Sequence, residues 1–114
     1  MDLGSVKFND AGLVAVVVQA RESREVLMLA WANADALAET VRSGLATFWS
    51  RSRGELWTKG MTSGNTMRVA EIRLDCDGDA LLYVVDPAGP ACHTGRRTCF
   101  YRKLSGEDFI EDEP

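Results

Sequence analysis

Leu13-Val14-Ala15-Val16-Val17-Val18 is the stretch that decides the fold. It is an unbroken apolar run whose valines are stiff at χ1 and favour a pleated backbone. Its length suits a strand and falls far short of the roughly 20 residues that a membrane-spanning helix needs. Continuous apolarity, rather than alternation, reads as a strand covered on both faces, running from Gly12 to Ala20.

Working outward, Arg21–Arg24 is a polar turn and Glu25–Trp31 a returning strand, so the two form a hairpin. The period then becomes helical. Asn33 is an N-cap, Ala34, Leu37, Ala38 and Val41 recur at helical spacing, and Gly44 stops the helix. Asp35 and Arg42 match the helix dipole at the first and last turns.

Beyond the helix, Thr47–Ser52 alternates, which would put Trp49, Arg51 and Arg53 on one strand face. Leu56–Lys59 reads as a short strand and Gly60–Asn65 as a loop. Val69–Cys76 and Leu81–Val85 are strands around a tip at Asp77–Ala80. Pro87–Arg97 is a loop, and Cys99–Leu104 a last short element. The class is α+β, mostly strands around one main helix.

The chain has 114 residues, enough for one hydrophobic core. A formal charge of −4 argues against a broad nucleic-acid or anionic-membrane surface. The last ten residues, Ser105–Pro114, carry five acids and no base. They read as a mobile acidic tail on a single domain spanning 1–104. Without the tail the body is mildly cationic, which suits a small phosphorylated ligand. The start of the chain lacks an apolar signal core, and three cysteines make a poor disulfide framework. A cytoplasmic setting is expected.

Chemistry concentrates in Asp75-Cys76-Asp77-Gly78-Asp79. In an extended backbone Asp75, Asp77 and Asp79 share one side and Cys76 takes the other. Three adjacent carboxylates repel unless protonated or bridged by a cation, and oxygen ligands favour Mg²⁺ or Ca²⁺. The alternative is a polar hairpin tip. A calcium EF-hand loop is excluded, because its glycine and final glutamate are missing from their required places.

Cys76, Cys92 and Cys99 contain no CxxC pair, so a zinc ribbon is a poor fit. Three thiols without a fourth suit a zinc site with one open position; equally, they could be free buried thiols. His93 could be a ligand, a general base or a bystander. Arg51, Arg53, Lys59, Arg68, Arg96 and Arg97 are candidate phosphate contacts or ordinary solvated surface. Trp49 and Trp57 read as core rather than as stacking platforms. A zinc base deaminase is excluded, since His93 is followed by Thr94 and Gly95 and no second cysteine lies three residues after Cys92. A non-enzymatic module stapled by zinc stays open.

Taken together, Phe48-Trp49-Ser50-Arg51-Ser52-Arg53, Leu56-Trp57, Lys59-Gly60, Thr62-Ser63-Gly64-Asn65, Arg73–Ala80, Gly89–Arg97 and Cys99–Arg102 resemble the phosphoribosyl-AMP cyclohydrolase family. Ala15 stands where many members have proline, and Thr58 where many have histidine. The resemblance implies a barrel-like mixed sheet in an intertwined homodimer. It implies Mg²⁺ on Asp75, Asp77 and Asp79. It also implies one Zn²⁺ per subunit, on Cys76 of one subunit with Cys92 and Cys99 of the other. The implied substrate is the small nucleotide N1-(5-phosphoribosyl)-AMP, opened at its N1–C6 bond in histidine biosynthesis. His93 is then the candidate base, and Arg51, Arg53, Lys59, Ser63, Gly64, Asn65, Arg96 and Arg97 the candidate substrate contacts.

Overall fold

The computed structural model describes residues 3–112. Eight strands and one helix follow in order: β1 (Val14–Ala20), β2 (Val26–Ala32), α1 (Ala34–Ser43), β3 (Thr47–Ser50) and β4 (Glu55–Thr58) come first. Then come β5 (Met67–Leu74), β6 (Ala80–Pro87), β7 (Arg102–Ser105) and β8 (Asp108–Glu111). The main sheet has the order β2-β1-β6-β5, with β1 and β6 parallel and the outer pairs antiparallel. β3–β4 and β7–β8 are separate two-stranded hairpins.

The apolar run does form the strand at the centre of the fold, but burial alternates along it. Val14, Val16, Val18 and Ala20 face the core, whereas Ala15, Val17 and Gln19 are half-covered on the opposite face. Within one chain the sheet is therefore packed on one side only. Phe48 from β3 fills that side, with its ring 5.1 Å from Trp57 and 5.9 Å from Tyr83.

The helix caps are as expected. The Asn33 side chain accepts from the Ala36 amide at 2.8 Å, and Gly44 takes a left-handed φ of 77°. The buried face differs, being Ala36, Leu37 and Thr40, while Val41 is 51% exposed. Thr40 decides the rotation. Its hydroxyl donates to Ala36 and Thr47 carbonyls and accepts from the Thr47 amide at 3.0 Å, tying α1 to β3.

Two further expectations need correction. The sheet is open, with β2 and β5 as its edge strands, so no barrel closes among the described residues. β3–β4 lies against the inner face instead of joining the sheet, apart from one bridge between Leu45 and Arg68. The boundary at 104/105 falls inside a hairpin, because Ser105 ends β7 and Asp108–Glu111 pairs back on it as β8. Charge hid the apolar pair Phe109-Ile110, which supplies this strand. Glu113 and Pro114 of the expected tail lie outside the described residues.

Candidate functional site

Asp75, Asp77 and Asp79 sit at the tip between β5 and β6. The stretch is a turn, not the extended backbone expected, and the turn is what brings the carboxylates together. Gly78, at φ 81°, lets the chain reverse, and its carbonyl accepts from the Lys7 amide at 2.8 Å. Asp75 Oδ1 accepts from the Asp79 and Ala80 amides at 2.9 and 3.2 Å. One oxygen from each carboxylate lies within 4.8 Å of the others.

Their titration reflects this crowding. Hydrogen bonds and charge from Asp77 and Asp75 push Asp79 above the ordinary carboxylate range. Desolvation raises Asp75, but the Ala80 amide and the Asp79 and Asp77 side chains outweigh it and hold Asp75 low. Crowded carboxylates repel unless a proton or a cation lies among them, and this oxygen donor set fits Mg²⁺.

The thiols are placed by a different mechanism. The loop after β6 returns to β2 and docks three successive residues on three others. Arg97 pairs with Glu25 at 2.7 and 3.1 Å, the Thr98 hydroxyl donates to the Val26 carbonyl at 2.7 Å, and the Cys99 amide donates to the Leu27 carbonyl at 2.7 Å. Inside the loop, Ala91 and Cys92 amides donate to Arg97 and Arg96 carbonyls at 3.2 and 3.0 Å. This fold-back sets Cys92 beside Cys99.

Cys92 is buried and Cys99 exposed. The Thr94 hydroxyl donates to Cys92 Sγ at 3.0 Å and holds that thiol below its ordinary value. Desolvation and the neighbouring Cys92 push Cys99 up, and the Lys59 ammonium pulls both down. Soft paired sulfur suits Zn²⁺, yet two thiols are one short of a usual site. Cys76 lies exposed beyond β5 and does not join them: among the described residues the aspartates alone form a three-ligand group within one chain. His93 is exposed, immediately after Cys92.

Arg51 and Arg53 lie in the turn between β3 and β4 rather than on a strand face. They border an open depression of about 660 Å³ with Trp31, Trp49 and Trp57 as its walls. Trp49 and Trp57, read as core, are partly buried: Trp57 packs on the core and both also line this depression. Trp31 was not singled out, although the Arg51 guanidinium lies 5.0 Å from its ring.

The Ser63-Gly64-Asn65 loop closes on Gly60, whose carbonyl accepts from the Gly64 amide at 2.8 Å. A side chain at Gly89 would overlap the Asn65 amide, so this loop and the cysteine loop meet there. Arg96 pairs with Glu111 at 2.9 Å and lies 4.2 Å from the Tyr101 ring. Arg96 and Arg97, expected at substrate phosphates, both have partners within the chain.

The sequence model of the phosphoribosyl-AMP cyclohydrolase family matches residues 28–101. The chain is 53% identical to the phosphoribosyl-AMP cyclohydrolase of Halorhodospira halophila, covering 98% of this chain and 79% of that one. Against the Archaeoglobus fulgidus phosphoribosyl-AMP cyclohydrolase identity is 54%, over 90% and 95%. It is 61% identical to the histidine biosynthesis bifunctional protein HisIE of Thermus thermophilus over 91% of its length, and spans 49% of that longer protein. Fold and relatives together define a hydrolase of amino-acid biosynthesis. More particularly, the chain belongs to the phosphoribosyl-AMP cyclohydrolase family, of histidine biosynthesis. No helix among the described residues is long and apolar enough to cross a membrane.

Proposed function

We propose that this chain hydrolyses the N1–C6 bond of N1-(5-phosphoribosyl)-AMP in the cytoplasm, as a homodimer with zinc and magnesium sites. Supporting this reading above all is the incomplete thiol pair: Cys92 and Cys99 are fixed side by side while Cys76 projects elsewhere. Two copies can complete both sites reciprocally, as an isologous interface requires. Apolar surface favours such pairing too. Phe100, just before β7, and Leu104, Phe109 and Ile110, on a two-stranded hairpin that is marginal alone, are each about half exposed or more.

In the substrate, alkylation at N1 leaves the ring electron-poor at C6. Water adds there, N1 departs with the N1–C6 electron pair, and C6 becomes the carboxamide carbon. Zinc on Cys92, Cys99 and Cys76 of a second copy, when bound, supplies acidity that makes water nucleophilic near neutral pH. His93 takes the proton released by that water through an imidazole nitrogen. Trp31, Trp49 and Trp57 face the purine, and the Arg51 and Arg53 forks bind phosphate. Asp75, Asp77 and Asp79 would hold Mg²⁺, whose charge would then be available to orient the substrate. Lys59 and the Ser63–Asn65 loop, beside the cysteine loop, are further substrate contacts.

Ultraviolet monitoring of ring opening with N1-(5-phosphoribosyl)-AMP, with and without chelator, tests the chemistry. Turnover abolished by chelator and restored by Zn²⁺ is expected; no turnover with any metal ends the reading. Subunit sharing is tested by mixing Cys76→Ser and Cys92→Ser chains, each inactive alone. Random exchange leaves one intact site in each mixed dimer, so about a quarter of wild-type activity returns. No recovery refutes sharing.

A further inference from the structure

The described surface holds several features outside the chemistry above, and one of them bears directly on the thiol pair. Glu25 begins the segment that enters β2, far in sequence from the cysteine loop. Its side chain is 16% exposed, and both carboxylate oxygens engage Arg97, at 2.7 and 3.1 Å. Arg97 is joined twice to the loop that carries the thiols. Its carbonyl accepts from Ala91, just before Cys92, and it stands two residues before Cys99. The residues that follow continue the same register, Thr98 on Val26 and Cys99 on Leu27. The ion pair is thus the outer end of a three-rung attachment that ends at Cys99.

We infer that Glu25 and Arg97 are positioning residues that fix the spacing of the Cys92 and Cys99 sulfurs. Arg97 then orients the thiols instead of binding a substrate phosphate. A bidentate fork fixes direction as well as distance, which lysine at 97 would not reproduce. Partners outside the ligand set commonly control affinity, since they hold the ligands in the geometry that the metal requires. The inference rests on the zinc reading for its effect on metal, but the spacing of the sulfurs is a property of the chain alone.

Two readouts on Glu25→Gln, Arg97→Lys and the exchanged pair Glu25→Arg with Arg97→Glu test it. In metal-free protein, the alkylation rate of Cys92 by iodoacetamide, followed by mass spectrometry, should rise severalfold in the single variants. Cys76, on the separate β5–β6 tip, should keep its rate and serves as the internal reference. With Co²⁺ as probe, the thiolate charge-transfer absorption should weaken, and affinity should fall about tenfold or more. The exchanged pair should recover both. Unchanged Cys92 alkylation together with unchanged Co²⁺ affinity overturns the inference, whatever the activity. Wild-type protein with no Co²⁺ absorption at all would instead refute the zinc reading, and the alkylation rates would still decide the positioning role. Equal acceleration of Cys76 and Cys92 would mark general loosening and also count against it.

Discussion

Cys99 is fixed to Leu27 by a backbone bond: its amide donates to the Leu27 carbonyl across 2.7 Å. Because main chain holds main chain, the thiol is left without a structural duty and stays exposed for a ligand. The cysteine loop is in effect a short extra rung on the edge of β2, and its attachment is the most consequential contact near the site.

Thr98 lies between the ion pair and that rung, and is buried to 1% exposure. Its hydroxyl donates to Val26 at 2.7 Å and accepts from the Phe100 amide at 3.0 Å. Thr98→Val keeps the shape but leaves those groups unpaired, so it should cost about 1–3 kcal/mol. Thr98→Ser should retain most of the stability. Urea midpoints at an unchanged slope measure both.

The carboxylate cradle depends on Gly78. At φ 81° any side chain is strained, and a Cβ would also overlap the Ser5 carbonyl. Gly78→Ala should destabilise the chain by more than about 1 kcal/mol. It should also weaken Mg²⁺ binding while Cys92 alkylation stays at its wild-type rate. Calorimetric titration with Mg²⁺ showing wild-type affinity would separate the turn from the cradle.

Glu25 gives a pH signature. Its hydrogen bonds to Arg97 hold the carboxyl below its ordinary 4.5, against a smaller opposing push from burial. A lowered folded-state value means the pair stabilises fully above 4.5 and progressively less as pH falls through the folded value. The stability margin of wild type over Glu25→Gln should therefore be flat between about pH 6 and 8 and shrink below about pH 4.5. Urea midpoints across that range give the answer, and a margin constant to about pH 3 contradicts it.

Among the described residues the buried Tyr83 hydroxyl makes no hydrogen bond of normal geometry, and burial lifts its pKa to about 12 against a smaller pull from Thr40. The Thr40 hydroxyl faces it but is already engaged with Ala36 and Thr47. Removing an orphaned polar group while keeping the ring should help, so Tyr83→Phe is expected to gain about 1 kcal/mol. Spectrophotometric titration of wild type should show one tyrosine ionising only near pH 12. A clear loss of stability in Tyr83→Phe would reveal a partner for the hydroxyl.

Local chemistry was legible wherever neighbours in sequence are neighbours in space. The Val14–Ala20 strand, its hairpin with β2, and the helix between Asn33 and Gly44 all follow from side-chain stiffness and capping groups. The Asp75–Asp79 tip was legible as a place, but not as a geometry. Alternation would have grouped the aspartates in a strand, whereas a glycine turn does so. The buried helix face departs from the apolar pattern along α1 because a threonine hydroxyl serves β3.

By itself, then, the sequence determined most of the elements and the family to which the chain belongs. Tertiary structure alone decided which loops meet: that Arg97 answers Glu25 across 72 residues, that Trp31 joins Trp49 and Trp57, and that the sheet stays open. Propensity and capping act over a turn or two of chain. The crossing that makes β1 and β6 parallel, and so brings the cysteine loop back beside β2, is set by burying one face of one sheet.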